Sequence, residues 1–381
     1  MYSDYIEYVR ELYNKPTGAL GLHEPKFLGN EKNYVLDAID STFVSSVGEY
    51  VNRVEIMLQS ITGANFAVAL VNGTNALHLA LELVGVKSND EVLTQSLTFV
   101  ATANAISYIN AIPHFVDVDN DTMGLSPDKL EIYLNEIAEV KENACFNKIT
   151  GRKISACVPM HTFGLPMRID KLVSVCEKFN IPVVEDAAES IGSYYNNKHT
   201  GTFGKVGVFS FNGNKTVTCG GGGALITNDG ELAKKAKHLS TQAKMPHQWD
   251  FTHDEIGYNY RMPNLNAAML CAQLEQLDFY IINKRETAKE YHRFFTKLGY
   301  ALSKIEIENS KSNYWLNAIQ FKNKDERNLF LTQTNEAGIM TRPVWTLMNE
   351  LPHFAYHPKS DLSTSKFLQE RIVNIPSSIR V

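Results

Sequence analysis

Short apolar runs alternate with helical stretches over much of the chain, between Ile61 and Asp229. Turn residues bound each apolar run, and such runs are typical of buried strands. Strands are predicted at residues 67–70, 91–94, 113–118, 154–160, 182–185, 205–209 and 224–227, and helices at 74–83 and 101–108. Repeated strand–helix alternation predicts an α/β fold in which helices cover both faces of a mostly parallel sheet.

The pattern changes after His247, where a second, smaller domain is expected. A long amphipathic helix is predicted from Asn264 to Tyr280, continuing through Lys284–Phe295, and a strand is predicted at Trp315–Phe321. At roughly 150 residues per domain, 381 residues correspond to two or three units. With the boundary near 245–265, we expect an N-terminal wrapping segment (1–50), a large α/β domain (51–250) and a small C-terminal α+β domain (251–381).

Composition and charge exclude several classes of protein. The chain is 44% hydrophobic and 21% charged, which excludes intrinsic disorder. Thirty-seven Lys and Arg against forty-two Asp and Glu leave a net charge of −5, which argues against a general nucleic-acid partner. A local basic pocket for a phosphorylated small molecule stays open.

The sequence also predicts a compartment. No apolar run approaches the ~20 residues needed to cross a membrane, and Met1–Lys15 lacks the apolar core of a signal peptide. The five cysteines are odd in number and form no CxxC pair, so neither a disulfide framework nor a zinc site is indicated. We expect a cytoplasmic protein with reduced, mostly buried thiols and no membrane partner.

Ligands of open α/β sheets bind beyond the carboxyl ends of the strands, and three strand ends carry suitable groups. At the first, Gly73 lets the backbone approach a ligand, while Thr74 can cap the following helix and donate a hydroxyl. The first amides of such a helix form an anion site. An ordinary helix start explains the same residues equally well.

The second strand end carries Asp186, directly after the predicted strand Pro182–Glu185, whose last residue forms an acidic pair with it. This carboxylate could cap a helix, lie in a solvated turn, or face a cationic ring nitrogen or a metal. No cluster of His, Asp and Glu at metal-ligand spacing accompanies it, so no metal is expected.

The third strand end leads to Lys215, which lies next to the glycine run Gly220–Gly223. Partial burial would make its amine nucleophilic, as Schiff-base chemistry requires, although a surface lysine in a loop is the simpler reading. A Walker A loop is excluded because Asn214 precedes the lysine, and neither a dinucleotide fingerprint nor a GxSxG elbow is present.

Seven blocks in this order resemble the DegT/StrS family of nucleotide-sugar aminotransferases, which are fold-type-I pyridoxal-phosphate (PLP) enzymes. The blocks are NGTNALHLAL, LTFVATANAI, PHFVDVD, VVEDAAESIGS, SFNGNK, GGGGALITND and GYNYRMPNLNAAMLCAQLEQLD. The resemblance covers about Phe27 to Val381. It implies a large sheet domain with a smaller C-terminal domain, and PLP as cofactor with pyridoxamine phosphate as its intermediate form.

The resemblance assigns a role to each residue that matches the family pattern. Lys215 matches the lysine that forms the Schiff base and moves the proton, and Asp186 matches the aspartate that keeps the ring nitrogen protonated. The other cofactor residues implied are Phe99 (ring stacking), Gly73, Thr74, the Asn75 backbone and Ser210 (phosphate), Glu189 (near the ring hydroxyl) and Asn259 (phosphate of the neighbouring subunit). The role of Asn259 implies a homodimer with shared active sites. Gly221 departs from the Glu that is common there, on a loop away from the reacting groups.

The segments TRPVWTLMNELPHF and VNIPSSIRV resemble the LegC-like branch of the family. That likeness implies transfer of an amino group from L-glutamate to C4 of a nucleotide-linked 4-keto-6-deoxy-N-acetylhexosamine, on a route of the legionaminic acid or bacillosamine type. His23, His161 and Arg342 are the predicted substrate residues. UDP and GDP carriers, a 3-keto substrate and a non-catalytic regulatory relative all stay open. Lys215 argues against C3-dehydrating relatives, which carry His at that position.

Overall fold

The computed structural model describes residues 2–381 as a mixed α/β structure with helices along its whole length. The α-helices are α1 Ser3–Leu12, α2 Glu31–Asp40, α3 Glu49–Thr62, α4 Gly73–Leu83, α5 Val100–Tyr108, α6 Pro127–Ile137, α7 Ile169–Lys178, α8 Gly230–Ser240, α9 Asn264–Glu275, α10 Leu277–Leu298, α11 Lys324–Glu336 and α12 Ser363–Gln369. Across residues 2–381, none of these helices combines the length and the apolar character that a membrane span requires.

Most strands belong to one large sheet or to smaller sheets around it. The strands are β1 Phe66–Leu70, β2 Glu91–Gln95, β3 Ile112–Val116, β4 Ala138–Lys141, β5 Ala144–Asn147, β6 Lys153–Val158, β7 Val184–Asp186, β8 Tyr194–Tyr195, β9 Lys198–His199, β10 Val206–Ser210, β11 Gly223–Thr227, β12 Leu302–Ser303, β13 Ser310–Lys311, β14 Asn317–Gln320, β15 Arg342–Pro343 and β16 Ile372–Ile375.

The large sheet has the strand order β1-β11-β10-β7-β6-β2-β3. Two ladders, β1-β11-β10-β7 and β3-β2-β6, are joined by parallel bridges from Cys157 to Val183 and from Met160 to Asp186. Strand β11 is antiparallel to both of its neighbours, whereas β10, β7, β6, β2 and β3 pair in parallel. The predicted mostly parallel sheet is therefore confirmed.

Apolar cores lie on both faces of this sheet because successive strand residues point to opposite sides. In β1, Ala67 and Ala69 pack in the core that contains α3 and α9, whereas Val68 and Leu70 pack in the core that contains α4 and α8. Strands β2 and β11 are buried at every residue, as expected for strands covered on both faces. All five cysteines are buried as well.

The C-terminal part forms a second sheet, of order β12-β14-β16-β15, in which every pairing is antiparallel. The N-terminal segment reaches this part: Tyr5 and Val9 of α1 are fully buried against Tyr291, Phe295 and Phe330. Helix α9 differs from the predicted division. It packs on α2 and α3, in the core of the large sheet, although the predicted division assigns it to the small domain.

Candidate active site

A cavity of about 320 Å³ lies at the carboxyl ends of β7 and β10, where the first turn of α4 and the loop after β10 meet. Seven of the residues predicted from the sequence line it: Gly73, Thr74, Phe99, Asp186, Glu189, Ser210 and Lys215. Segments that are far apart in sequence thus converge on one site, at the strand ends where open α/β sheets bind their ligands.

The amino end of α4 forms one side of the cavity. Asn72 caps the helix, because its side-chain oxygen accepts a hydrogen bond of 2.8 Å from the Asn75 amide. A Cβ on Gly73 would lie 2.8 Å from Cβ of Ser210, so only glycine lets the helix approach β10 this closely. The positive end of the helix dipole faces an anion placed here.

The cap engages the Asn75 amide, whose predicted role in binding the phosphate stays a prediction. The Asn75 amide is already used by Asn72, and Asn75 does not line the cavity. Asn72 does line it and was missed. Its signal in the sequence was the strong preference for Asn at the N-cap position, immediately before the helical Gly-Thr.

Asp186 ends β7 and is buried, with 4% of its surface exposed. One carboxylate oxygen accepts a hydrogen bond from Thr102 Oγ1 at 2.7 Å, and the other accepts from the Ala188 amide at 3.2 Å. Burial raises the pKa of Asp186, while these hydrogen bonds and the charge of Lys215 oppose that rise. The site therefore holds a desolvated carboxylate that a cation would stabilise.

Lys215 and Glu189 form an ion pair in the cavity, with 3.2 Å between Nζ and Oε1. The other oxygen of Glu189 accepts from the Phe163 amide at 2.8 Å. Burial raises the pKa of Glu189 to about 7, although the charge of Lys215 lowers it. Lys215 Nζ also lies 4.0 Å from the centroid of the Trp315 ring. The lysine is thus partly desolvated and held between a carboxylate and an aromatic face.

Aromatic side chains form the remaining wall. Phe99 is half exposed at the N-cap of α5, and its ring lies 6.1 Å from that of Trp345, which also packs on Phe163 at 5.0 Å. Trp315 and Trp345 both line the cavity and both come from the C-terminal part. No sequence motif pointed to Trp315.

His161 and Arg342 do not line this cavity, and their substrate roles stay predictions. His161 is fully buried; its Nε2 lies 3.1 Å from a Glu185 oxygen and its Nδ1 accepts from the Met167 amide at 3.3 Å. Arg342 is exposed on β15 and donates to Asn335 and to the Thr341 carbonyl, both at 2.9 Å. Both side chains already have protein partners.

His23 and Asn259 also lie outside the cavity lining, with different surroundings. The ring nitrogens of His23 are buried without a hydrogen-bond partner, and the ring is 6.4 Å from that of Trp315. Burial, with the charges of Lys284 and Lys215, holds the pKa of His23 well below its usual range. Asn259 is exposed and accepts hydrogen bonds from Arg261.

The cavity residues fit a pyridoxal-phosphate group. The amino end of α4 offers an anion site, and the buried carboxylate of Asp186 suits a cationic ring nitrogen. Lys215 supplies an amine in the same cavity, and Phe99 supplies an aromatic face. The residues present therefore fit the phosphate, the ring nitrogen, the amine-reactive carbon and the aromatic face of the group.

Within residues 2–381, one group of potential metal ligands lies elsewhere, on the surface. Side-chain atoms of His238, Asp254 and Glu255 approach one another within 4.8 Å. Lys235 pairs with Glu255 there, and His238 donates to Asp254, so ion pairs already account for the grouping.

The profile of the DegT/DnrJ/EryC1/StrS aminotransferase family matches residues 26–381. The GDP-perosamine synthase of Escherichia coli O157:H7 is 36% identical over 360 residues, covering 93% of this chain and 92% of that protein. The GDP-perosamine synthase of Caulobacter vibrioides is 32% identical over 356 residues, covering 93% and 91%. A crystal structure of a DegT DnrJ EryC1 StrS aminotransferase from Brucella abortus superposes with a TM-score of 0.82 at 25% identity, covering 91% of this chain and 90% of that one. The chain therefore belongs to the DegT/DnrJ/EryC1/StrS family, as its motifs predict, and is a sugar aminotransferase of the PLP-dependent type.

Proposed function

We propose that this enzyme moves an amino group from L-glutamate to C4 of a nucleotide-linked 4-keto-6-deoxy-N-acetylhexosamine, as in routes of the legionaminic acid or bacillosamine type. The observation that carries the proposal is the convergence of Lys215 and Asp186 in one buried cavity beside the amino end of α4. These groups have the chemistry that transamination needs.

Pyridoxal phosphate, when bound, supplies the electron sink for the electron pair of the broken C–H bond. The residues of the chain hold and protonate the reactants. Gly73 and Thr74, at the amino end of α4, and Ser210, at the end of β10, would hold the phosphate, and Asp186 would hold the protonated ring nitrogen. Thr102 and Ala188 fix the orientation of the Asp186 carboxylate through their hydrogen bonds.

Lys215 carries the proton in this proposal. Its Nζ is the amine in the cavity, so it takes a proton from one carbon and returns it to another as a general base and then a general acid. Glu189 accepts a hydrogen bond from this amine and holds it on the cavity side. With a pKa of about 7, Glu189 changes charge near neutral pH, next to the group that moves the proton.

The proposed sugar rests on the C-terminal segment that resembles the LegC-like branch. Trp345 of that segment lines the cavity together with Phe99 and Trp315, so the segment contributes directly to the wall that a substrate would meet. Aromatic faces suit the apolar side of a 6-deoxyhexose. The relatives named for GDP-perosamine, at 36% and 32% identity, support a nucleotide-linked sugar.

We also propose a cytoplasmic homodimer with shared sites. Apolar side chains are exposed on and after α2 and on the segment before Asn259: Leu36, Ile39, Phe43, Trp249, Phe251 and Ile256. Exposed apolar surface of this kind is typical of interfaces. Asn259 is exposed and outside the cavity of its own chain, as a residue serving the neighbouring site would be. Five free thiols suit a reducing compartment.

Product analysis tests the proposal. The purified protein with pyridoxal phosphate is incubated with L-glutamate and a UDP- or GDP-linked 4-keto-6-deoxy-N-acetylhexosamine. Mass spectrometry follows the aminated sugar and 2-oxoglutarate, and NMR locates the new amine. We expect amination at C4 and equal amounts of the two products.

Each of the other outcomes would contradict a different part of the proposal. Amination only of a 3-keto sugar would overturn the proposed position. Formation of 2-oxoglutarate without any sugar product would overturn the acceptor class. Tight cofactor binding without turnover of any donor would favour the non-catalytic alternative. Sedimentation equilibrium tests the dimer, and a monomer with full activity would contradict shared sites.

A further inference from the structure

The amine of Lys215 has two partners, of which one is aromatic. Its Nζ lies 3.2 Å from an oxygen of Glu189 and 4.0 Å from the ring centroid of Trp315. The lysine side chain is only 13% exposed, so water competes little for the amine. An ammonium group over an indole face is attracted by the ring quadrupole, most strongly when both are desolvated.

Trp315 is held rigidly at both ends. Its backbone amide donates to Asn313 Oδ1 at 2.8 Å, and its carbonyl accepts from Lys284 Nζ at 3.1 Å. Its indole N–H donates to the carbonyl of Asn214 at 2.6 Å. Asn214 is the residue directly before Lys215, so the ring is tied to the loop that carries the lysine.

Asn313 extends this connection to the second partner of the amine. Its side-chain amide donates to the carbonyls of Glu189 and Ile191, both at 2.9 Å. The segment around Trp315 therefore binds the Glu189 loop and the Lys215 loop together. A change in the position of Trp315 would alter both partners of the lysine.

Ionisable side chains from three parts of the chain lie near the amine. From β7 and the turn after it come Asp186 and Glu189, and Asp186 is engaged by Thr102 and Ala188. From the N-terminal segment comes His23, whose pKa is lowered by burial and neighbouring cations. From α10 comes Lys284, which is buried and donates to the carbonyls of Trp315 and Ser377.

We propose that Trp315 is a positioning residue whose indole face binds the ammonium form of Lys215 whenever that amine is free. This inference rests on the proposed function of Lys215 as proton carrier. The proton travels on Nζ, and the indole neither gains nor loses one. By favouring the charged amine, the ring keeps the proton available for return to carbon and keeps Nζ in the direction of the cavity.

Reductive methylation measures the basicity of this lysine in the full-length, cofactor-free protein. Formaldehyde and cyanoborohydride label the neutral amine, and mass spectrometry of the Lys215 peptide gives the labelling rate at each pH. In Trp315→Leu, we expect Lys215 to be labelled about tenfold faster near neutral pH, because the charged form loses the aromatic face. Trp315→Phe is expected to lie between Leu and the wild type, since Phe is the weaker π-partner.

Two controls make the result specific. Lys205, which is exposed in the same chain, serves as an internal reference whose labelling should not change. Trp345→Leu removes an aromatic residue from the same cavity without touching the amine, so Lys215 should keep its wild-type labelling rate. If Trp315→Leu does not fold, the smaller rise in the Lys215 labelling rate of Trp315→Phe remains as the test.

A second measurement distinguishes a positioning role of Trp315 from a merely structural role. With pyridoxal phosphate and L-glutamate, kcat of the donor half-reaction should fall about tenfold in Trp315→Leu while KM changes little, and Phe should restore most of the rate. An unchanged Lys215 labelling rate in Trp315→Leu, or an equal rise in Trp345→Leu, would overturn the inference. The labelling needs no donor or sugar, so its result is independent of whether the proposed function holds.

Discussion

The two walls of the cavity differ in how they are built. One wall comes from the strand ends of the large sheet and carries Thr74, Asp186, Ser210 and Lys215. The other comes largely from the C-terminal part and carries Trp315 and Trp345. The chemistry of the reaction determines which residue types the first wall carries. The second wall forms by packing between distant segments of the chain, and it determines which side chains the reacting groups contact.

Among the residues of the first wall, replacement of Lys215 should lower transamination the most. Lys215→Ala should lower transamination by more than about 10⁴-fold, because general acid–base transfer alone contributes about 10²–10⁴-fold and the nucleophilic amine is lost as well. Release of 2-oxoglutarate from L-glutamate measures the effect. Lys205→Ala, a change at an exposed lysine nearby, should keep wild-type activity. Substantial turnover by Lys215→Ala would mean that another group carries the proton.

Replacement of Asp186 should cause the next largest loss of activity. Asp186→Asn should retain cofactor but slow the donor half-reaction by about 10²–10³-fold, the cost of removing one preorganised electrostatic partner. The amide keeps the shape and can still accept from Thr102. Asp325→Asn, at an exposed position in the first turn of α11, is the matched control. A rate within a factor of two of wild type would remove Asp186 from its proposed role opposite the ring nitrogen.

The difference between the walls also explains what the sequence could predict. Strands β1, β10 and β11 lie within one residue of their predicted bounds, because buried apolar runs with turn residues at both ends leave little choice. Helices α1 and α2 were missed, since aromatic and polar residues alternate there without a clear period. The β4–β5 hairpin was missed as well, because β4 is mostly exposed and lacks an apolar pattern.

The residues of the site also differ in whether a local sequence motif predicts them. Lys215, Asp186 and Gly73 belong to local motifs, so their convergence at strand ends could be predicted. The cap formed by Asn72 depends on the extended backbone of that residue, which puts its side chain over the first turn. Trp315 reaches Lys215 from 100 positions along the chain, through contacts such as the Asn214 hydrogen bond. No local pattern encodes a contact of that range.

Trp345 tests whether the second wall governs substrate recognition. Trp345→Leu should raise KM for the keto sugar about tenfold, since one aromatic contact contributes about 0.5–1.5 kcal/mol. The half-reaction with L-glutamate should keep its rate. Tyr356→Leu, at a fully exposed aromatic residue of the same part of the chain, should change neither. An equal loss in both half-reactions would show that this wall supports the chemistry rather than the sugar.

The smallest effect concerns Glu189, which accepts hydrogen bonds from Lys215 and from the Phe163 amide. Its pKa is raised by burial to about 7 in the folded protein, above the unfolded value near 4.5. A raised pKa means that the folded state prefers the protonated carboxyl. The contribution of Glu189 to stability is therefore complete below about pH 4.5 and is lost as the pH rises through about 7.

Glu189→Gln removes this pH-dependent loss because glutamine does not ionise. We expect the melting temperature of the variant, relative to wild type, to increase by a few degrees between pH 5 and pH 8, which corresponds to about 2–3 kcal/mol. Differential scanning fluorimetry of cofactor-free protein over this range measures it, with Glu177→Gln on exposed α7 as the control. A difference that stays constant with pH would show that the Lys215 ammonium keeps Glu189 ionised throughout. In that case the ion pair, and not burial, would control the charge of Glu189.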